Sequence, residues 1–413
     1  MPGSGASRVF RLDLGTGAAE HAGMPTALPA PAPALWRDTK RYAWLLSGAF
    51  PGLAWLNLWQ ADRTGHAGWL WALPGVMYTL IPLLDWLLGE DRSNPPEAQV
   101  PALEADRWYL LVLLLFVPLQ FGLLLHGAWL AVHGGLGVLG FVGLVLTVGG
   151  INGVAINTAH ELGHKHAAWE RWLSRVVLAP VAYGHFFVEH NRGHHRRVAT
   201  PEDPASARLG ESFWAFLPRT VQGSLQSAWH LERQRLAGRG HGAWHWRNEC
   251  LQAWAMTVGL YAGLVAWLGW AVLAFLLVQA AYGAQLLEVV NYIEHYGLLR
   301  QKGADGRYER CAPEHSWNSN HRMSNLFLYH LQRHSDHHAH PARRYQALRH
   351  FEQAPQLPSG YAGLLLVAYV PPLWYRLMDR RVRAHYAGDL SRANVQPGAR
   401  ERLAGAWGAA EGR

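Results

Sequence analysis

Long uncharged apolar runs alternate along this chain with segments dense in His, Arg and Gln. Runs near residues 42–60, 67–89, 108–132, 135–157, 251–270 and 271–293 each approach the roughly 20 residues that a helix needs to cross a bilayer. The pattern predicts an all-α integral membrane protein with about six transmembrane helices in three hairpins. A charged, proline-containing loop, Glu90 to Arg107, divides the first pair from the second. Two further apolar stretches, Trp172 to Phe187 and 361–378, are expected to pack at the membrane interface. The first is short for a crossing, and Pro371-Pro372 argues against a straight helix through the second. The polar segments between and after the spans are expected to form a cytoplasmic, histidine-rich helical cap.

The same pattern divides the chain. Residues 1–36 are rich in Gly, Ala and Pro and have no basic start leading into an apolar core, so they are expected to be a mobile tail rather than a secretory signal. Residues 37–300 hold the spans, with a polar insertion at 159–250. Residues 301–390 form a C-terminal cytoplasmic region and 391–413 a C-terminal tail. No internal repeat is evident.

Composition supports the membrane reading once it is taken locally. The chain is 50% hydrophobic and 16% charged, against roughly 25% charged in a soluble domain. Its mean hydropathy of −0.06 averages two unlike kinds of segment, and local windows decide membrane insertion. Segment 159–250 carries twelve Lys and Arg against eight acids, and the last 80 residues are also basic. By the positive-inside rule, the N-terminus, this segment and the C-terminal region are cytoplasmic. That assignment puts the ends of the second, fourth and sixth spans on one face. The net charge of +8 comes with no DNA-binding pattern, so basic loops at a membrane surface explain it and no nucleic acid is expected.

Chemistry concentrates in nine histidines in four groups, each beside an apolar run. They are His160 and His164; His190, His194 and His195; His295; and His334, His337 and His338. In the three multiple groups a second imidazole follows at i+3 or i+4, positions about 5–6 Å apart on one helix face, so neighbouring rings can converge on one metal. Nine imidazoles exceed the needs of one octahedral ion, whereas two ions with four or five ligands each fit the count. Cys250 and Cys311 offer no thiolate site, which favours redox iron over structural zinc. Each group contains one acid: Glu161, Glu189, Glu294 and Asp336. These are expected to offset the cations' charge and accept the histidines' second N–H, although one of them could ligate or bridge instead. For His295 alone, isolation favours simple packing, and the adjoining Glu294 and the span end favour the site. His315 and His321 flank Ser-Trp-Asn-Ser-Asn and stay open. His166, His340, His350 and His385 read as basic-loop residues.

At these residues the chain resembles the membrane-bound alkane monooxygenases, relatives of the integral-membrane fatty acid desaturases. The resemblance rests on Asn157-Thr-Ala-His-Glu-Leu-Gly-His-Lys165, Glu189-His-Asn-Arg-Gly-His-His195, Asn291-Tyr-Ile-Glu-His-Tyr-Gly-Leu298 and Leu331-Gln-Arg-His-Ser-Asp-His-His-Ala-His340. Ala199-Thr-Pro-Glu-Asp-Pro-Ala-Ser206 and Ser316-Trp-Asn-Ser-Asn-His321 add to it. The Asn-Tyr-x-Glu-His-Tyr-Gly element separates this family from general desaturases. The resemblance runs from about residue 40 to 390 and implies that the nine histidines are ligands of a non-haem di-iron centre. It further implies O₂-dependent hydroxylation of the terminal carbon of medium- or long-chain n-alkanes in the bacterial inner membrane. The implied electron donor is rubredoxin, reduced by an NADH-dependent reductase.

Rubredoxin binds iron through four cysteines, so two cysteines imply a separate donor. Arg192, Arg196, Arg197, Arg333, Arg343 and Arg344 are expected at a basic docking surface for it, or else simply follow the positive-inside rule. Terminal selectivity implies a narrow apolar channel that admits the chain end-on. A fatty acyl desaturase and a fatty acid or alkylaromatic hydroxylase remain rivals by chemistry. A histidine-rich metal transporter is the rival from another class, and it predicts polar ligands at mid-span.

Overall fold

The computed structural model describes residues 36–408. The tail expected at 1–36 falls outside these apart from Trp36. Among the described residues the elements are helices, with isolated backbone bridges but no named strand. Five helices are long and apolar enough to cross a membrane: α2 (Ala67–Leu88), α3 (Arg107–His133), α4 (Val138–Gly163), α7 (Glu249–Leu268) and α8 (Val272–His295). The chain is a multi-pass membrane protein. The sixth expected span is also helical, α1 (Leu45–Thr64), but Gln60, Asp62, Arg63 and Thr64 make its last turn polar. It packs along α3.

Other helices lie between and after these. They are α5 (Ala168–Leu178) and α6 (Phe213–Ala237) in the insertion, then α9 (His334–Ala339), α10 (Tyr361–Ala368), α11 (Pro371–His385) and α12 (Arg400–Gly408). The chain turns at 369–370, and Pro371 and Pro372 occupy the first turn of α11, where a missing N–H costs nothing. Trp169 and Trp172 project from α5 to the exterior while Val177 and Leu178 are buried, as an interfacial helix requires. Residues 391–408 do not trail away as a tail. Val395 bridges Leu209, and Leu403 and Trp407 bury their apolar faces.

The expected hairpins are not the main contacts. The most extensive pairing sets α4 against α8, which are far apart in sequence. Glycine permits the approach: a Cβ at Gly149 would stand 2.6 Å from the Gln279 carbonyl oxygen, and Gly283 faces the backbone of Gly149 and Gly153. Small residues serve membrane helices in this way because lipid offers no hydrophobic drive to bring helices together.

Amides hold the same helices laterally. Gln120 on α3 donates to Asn152 on α4 (3.0 Å), Asn152 donates to Gln279 on α8 (2.6 Å), and Gln279 donates to the Pro180 carbonyl (2.7 Å). Without such partners each amide would cost several kcal/mol in hydrocarbon. At the helix starts Asp106 caps α3, Ser212 caps α6 and Asn248 caps α7. The result for function is that the C-terminal ends of α4 and α8 lie side by side, each carrying histidines.

Replacing Gly149 with Leu places a side chain against the α8 backbone. The expected outcome is a loss of about 1–3 kcal/mol or more, read as a lower unfolding temperature in detergent and reduced metal content. Gly259→Leu, at a position with open space around it, should change neither.

Candidate metal centre

Each histidine group comes from a different local device. His160 lies in the last turn of α4 and His164 is its C-cap. His295 is the last residue of α8. His334, His337 and His338 lie on α9, a helix of six residues. The middle group differs: His190–His194 form a π-helical turn, closed by the His195 N–H on the His190 carbonyl. Such turns are rare and concentrate at functional sites. Here i→i+5 winding places His190 and His195, rather than His190 and His194, on one face.

The nine imidazoles form two sets. His160, His164, His190, His195 and His337 bring one ring nitrogen each within 4.8 Å of one another, and so do His194, His295, His334 and His338. The i+3 and i+4 rule therefore holds for His160 with His164 and for His334 with His338. It fails for His190 with His194 and for His334 with His337, whose members go to opposite sets. The π turn accounts for the first. In α9 the residues at i and i+4 face one set, and His337 between them faces the other.

The spacing within each set suits a cation. Nε2–Nε2 distances are 2.8 Å for His160 to His337 and 3.1 Å for both His195 to His190 and His337 to His195. They are 3.2 Å for His334 to His295 and 3.0 Å for His338 to His334. Two nitrogens bound at about 2.1 Å and at right angles on one ion lie about 3.0 Å apart. A neutral ring offers at most one proton at Nε2, so only some members of a convergent set can donate, whereas a cation can engage every nitrogen at once. His164 Nε2 and His194 Nε2 are buried and have no hydrogen-bond partner.

Protonation points the same way. Burial first, then neighbouring rings, pushes His164, His190, His195, His334, His337 and His338 well below the ordinary imidazole range. They stand as neutral donors, the form that binds metal. Neither cysteine joins a set, so the donor sets suit ions that accept nitrogen.

The acids are placed less evenly than expected. Glu294 Oε2 lies 3.2 Å from His334 Nε2, the same spacing as between neighbouring donor nitrogens, and Tyr361 donates to its other oxygen (2.9 Å). The other three bond elsewhere. Glu161 pairs with Lys165 (2.8 Å) and accepts from the Tyr345 N–H. Glu189 pairs with Arg197 (2.6 Å), and burial lifts its carboxyl to about 7. Asp336 holds His340, Arg343 and the Arg349 N–H. Their correction has one cause: on these turns an acid beside a histidine points away from the convergent face, toward the cations of the cap.

The acid that does accept a histidine's second N–H is Asp203, 2.9 Å from His194 Nδ1. It sits inside the quoted Thr200-Pro-Glu-Asp-Pro204 stretch, but no helical spacing links residues nine apart through a loop. His295 donates from Nδ1 to the His315 carbonyl (3.3 Å), so His315 reaches the site through its backbone. Its ring instead faces Glu309. His321 bonds Ser319 and joins neither set.

Of the six arginines expected at a docking surface, Arg333 is buried at 1% exposure. It donates to the Leu348 and Asp91 carbonyls (2.8 Å each), propping the turn ahead of α9, and burial lowers its pKa to about 10. Arg192 pairs with Glu232 and Glu249, Arg197 with Glu189, Arg343 with Asp336 and Glu97, and Arg344 with Glu170. Arg196 is the exposed one.

Comparison with known proteins settles the family. The fatty acid desaturase family profile matches residues 136–365, a stretch that contains all nine histidines. Alkane 1-monooxygenase 1 of Alcanivorax borkumensis is 50% identical, covering 88% of this chain and 90% of its own. Alkane 1-monooxygenase of Pseudomonas putida is 48% identical, covering 87% and 89%. The chain belongs to the alkane 1-monooxygenases of the fatty acid desaturase family. The Acinetobacter baylyi alkane 1-monooxygenase, 46% identical over 90% of this chain and 92% of its own, matches to a similar extent. As a member of this family the chain is an enzyme, and its two histidine sets could each hold a metal ion.

If each set holds one ion, wild-type protein should carry two per chain. His195→Ala and His338→Ala should then each retain about one, read by elemental analysis, whereas loss of both ions from both variants would show a single coupled site. Asp203→Asn should weaken metal retention by roughly 10- to 100-fold. Unfolded histidines take protons near pH 6.5, but the folded ones do so only far lower. The folded, metal-holding state is therefore fully favoured above about pH 6.5 and loses stability as the pH falls below it, checked by metal release and melting between pH 7.5 and 5.

Proposed function

We propose that this chain is a di-iron monooxygenase that hydroxylates the terminal methyl of medium- or long-chain n-alkanes to 1-alkanols, using O₂ and electrons from a separate rubredoxin. The observation that carries the reading is an apolar cavity that the histidines help to line. His160, His190 and His334 border it together with apolar side chains such as Phe50, Met77, Leu286, Val290 and Leu365. Its polar lining gathers near the metal centre, at Asn157, Asn291, Glu294 and Tyr361. No lysine or arginine lines it. A hydrocarbon needs only apolar walls, whereas a fatty acyl carboxylate would need a cation to hold it.

His160, His164, His190, His195 and His337 would hold one iron, and His194, His295, His334 and His338 the other. When bound, iron supplies the O₂ activation that side chains cannot perform on an unactivated C–H bond. The chain's own part is positional. The cavity walls line up the substrate and exclude water, and Glu294, held by Tyr361, places a carboxyl oxygen beside His334. A methyl end reaches the histidines before any internal carbon does, which favours the terminal position although its C–H bonds are stronger.

The basic cap supports an inner-membrane protein with N-terminus, site and C-terminus cytoplasmic. A donor approaching there meets Arg196 on the segment that carries His194 and His195. Ligands at helix ends, rather than at mid-span, argue against a metal transporter.

Membranes or purified enzyme given n-octane or n-hexadecane, rubredoxin, its reductase, NADH and ¹⁸O₂ should form 1-alkanols carrying ¹⁸O, with about two irons per chain. Absence of 1-alkanol at every chain length, with methylbenzenes or acyl lipids oxidised instead, would overturn the substrate. One weakly held zinc and no iron would overturn the chemistry.

A further inference from the structure

Glu288 is a buried carboxylate in a bilayer-spanning helix that the function above does not use. It lies on α8, is 1% exposed, and no lysine or arginine pairs with it among the described residues. Its oxygens are held by three neutral donors: Tyr183 Oη (2.7 Å), Thr220 Oγ1 (2.8 Å) and Asn291 Nδ2 (3.2 Å). An ionisable group at membrane depth is costly and is a functional candidate by default.

A second cavity explains its position. It is a small open pocket with room for about one water, where Glu288, Glu189, Tyr183, Ser224, His190 and His194 set polar groups among apolar walls that include Phe186 and Ala205. Glu189 Oε2 is buried there without a hydrogen-bond partner. Polar groups of this kind hold water, whereas apolar voids stay dry. Asn291 and His190 border both cavities, so the smaller chamber and the hydrocarbon chamber meet at the metal centre from different sides.

The route outward follows one helix face. Thr220, Ser224 and Ser227 stand at i, i+4 and i+7 on α6. Thr220 is buried against Glu288, Ser224 borders the chamber, and Ser227 is half-buried and accepts from Arg197 (2.6 Å). Arg197 is itself 32% exposed. Side chains at i+3 and i+4 stand about 5–6 Å apart, beyond direct hydrogen-bond reach, so water between these hydroxyls, which both donate and accept, would carry a proton from the surface to the chamber.

We propose that Glu288 and the chamber are the proton-entry route of the enzyme, separate from the path of the hydrocarbon. The inference rests on the monooxygenase reading, because that reaction creates the demand. One oxygen atom of O₂ replaces a C–H by C–O–H and the other leaves as water, so each turnover takes two electrons from the iron–sulfur donor and two protons from solvent. The hydrocarbon chamber has few groups to carry them. Glu288 releases a proton from its carboxyl toward the His190 and Asn291 side, then regains one from the α6 hydroxyls and chamber water. Two such cycles match the two electrons.

The first test needs no substrate or electron donor. Infrared spectra of purified protein moved from H₂O to D₂O should show a protonated-carboxyl band that shifts on exchange and is missing in Glu288→Gln. Ser224→Leu fills the chamber without touching the carboxyl and should slow that shift. In turnover, Glu288→Gln should lower the rate by about tenfold or more, divert reducing equivalents to hydrogen peroxide and alter the solvent isotope effect, with alkane KM unchanged. Exchange as fast in Ser224→Leu as in wild type, or a Glu288→Gln variant that slows without changing coupling or isotope effect, would refute the route and leave Glu288 as a structural tie between α6 and α8. Failure of the alkane reading would show as no 1-alkanol in wild type, and the infrared result stands apart from it.

Discussion

Nine imidazole nitrogens converge where water is excluded, and this is the constraint on which the rest of the structure depends. Burial disfavours their charged forms, and neutral rings that each either donate or accept satisfy one another only in part. A cation inside each set would engage every nitrogen at once, and metal binding would then couple to the folding of the cap. Much of the surrounding architecture serves that convergence. The glycine contact of α4 with α8 brings two helix ends together, the amide relay from Gln120 to Gln279 keeps them in register, and Arg333 props the turn that delivers α9.

The two sets are not equivalent. One has five nitrogens and no carboxylate in contact. The other has four, with the Glu294 carboxyl beside His334 and Asp203 behind His194. These different surroundings give the two sets a polarity that nine similar side chains do not imply. The adjoining space is divided as well: a hydrocarbon-lined chamber adjoins His160, His190 and His334, and a small pocket holding polar groups adjoins His190 and His194.

The spans and the four histidine groups were legible because each is a local signal. Apolar length maps directly onto bilayer thickness, and helical spacing maps onto a shared face. The same rule misled wherever the backbone left the α-helix. At His190–His195 a π turn changes the period by one residue, and no composition signal marks it. The acids were misread for a related reason, since adjacency in sequence does not give direction. Glu161, Glu189 and Asp336 turn to Lys165, Arg197 and Arg343. Arg333 looked like surface charge because it sits in a basic stretch, yet its planar fork spans two backbone carbonyls in the interior.

What the sequence by itself determined is therefore the chemistry available and its place: a helical membrane protein with neutral nitrogen donors gathered at helix ends, too many for one ion. Apolar length and residue type are properties of short windows, and they survive without knowledge of the fold. Only the tertiary structure decided which histidines share a set, that Asp203 rather than three of the adjoining acids accepts from one of their rings, and that Glu288 borders a pocket reaching His190 and His194. Those facts depend on contacts that no helical period links, one of them nine residues apart in sequence and others more than a hundred, whose geometry is set by glycine-mediated helix packing and by one turn of altered helical period.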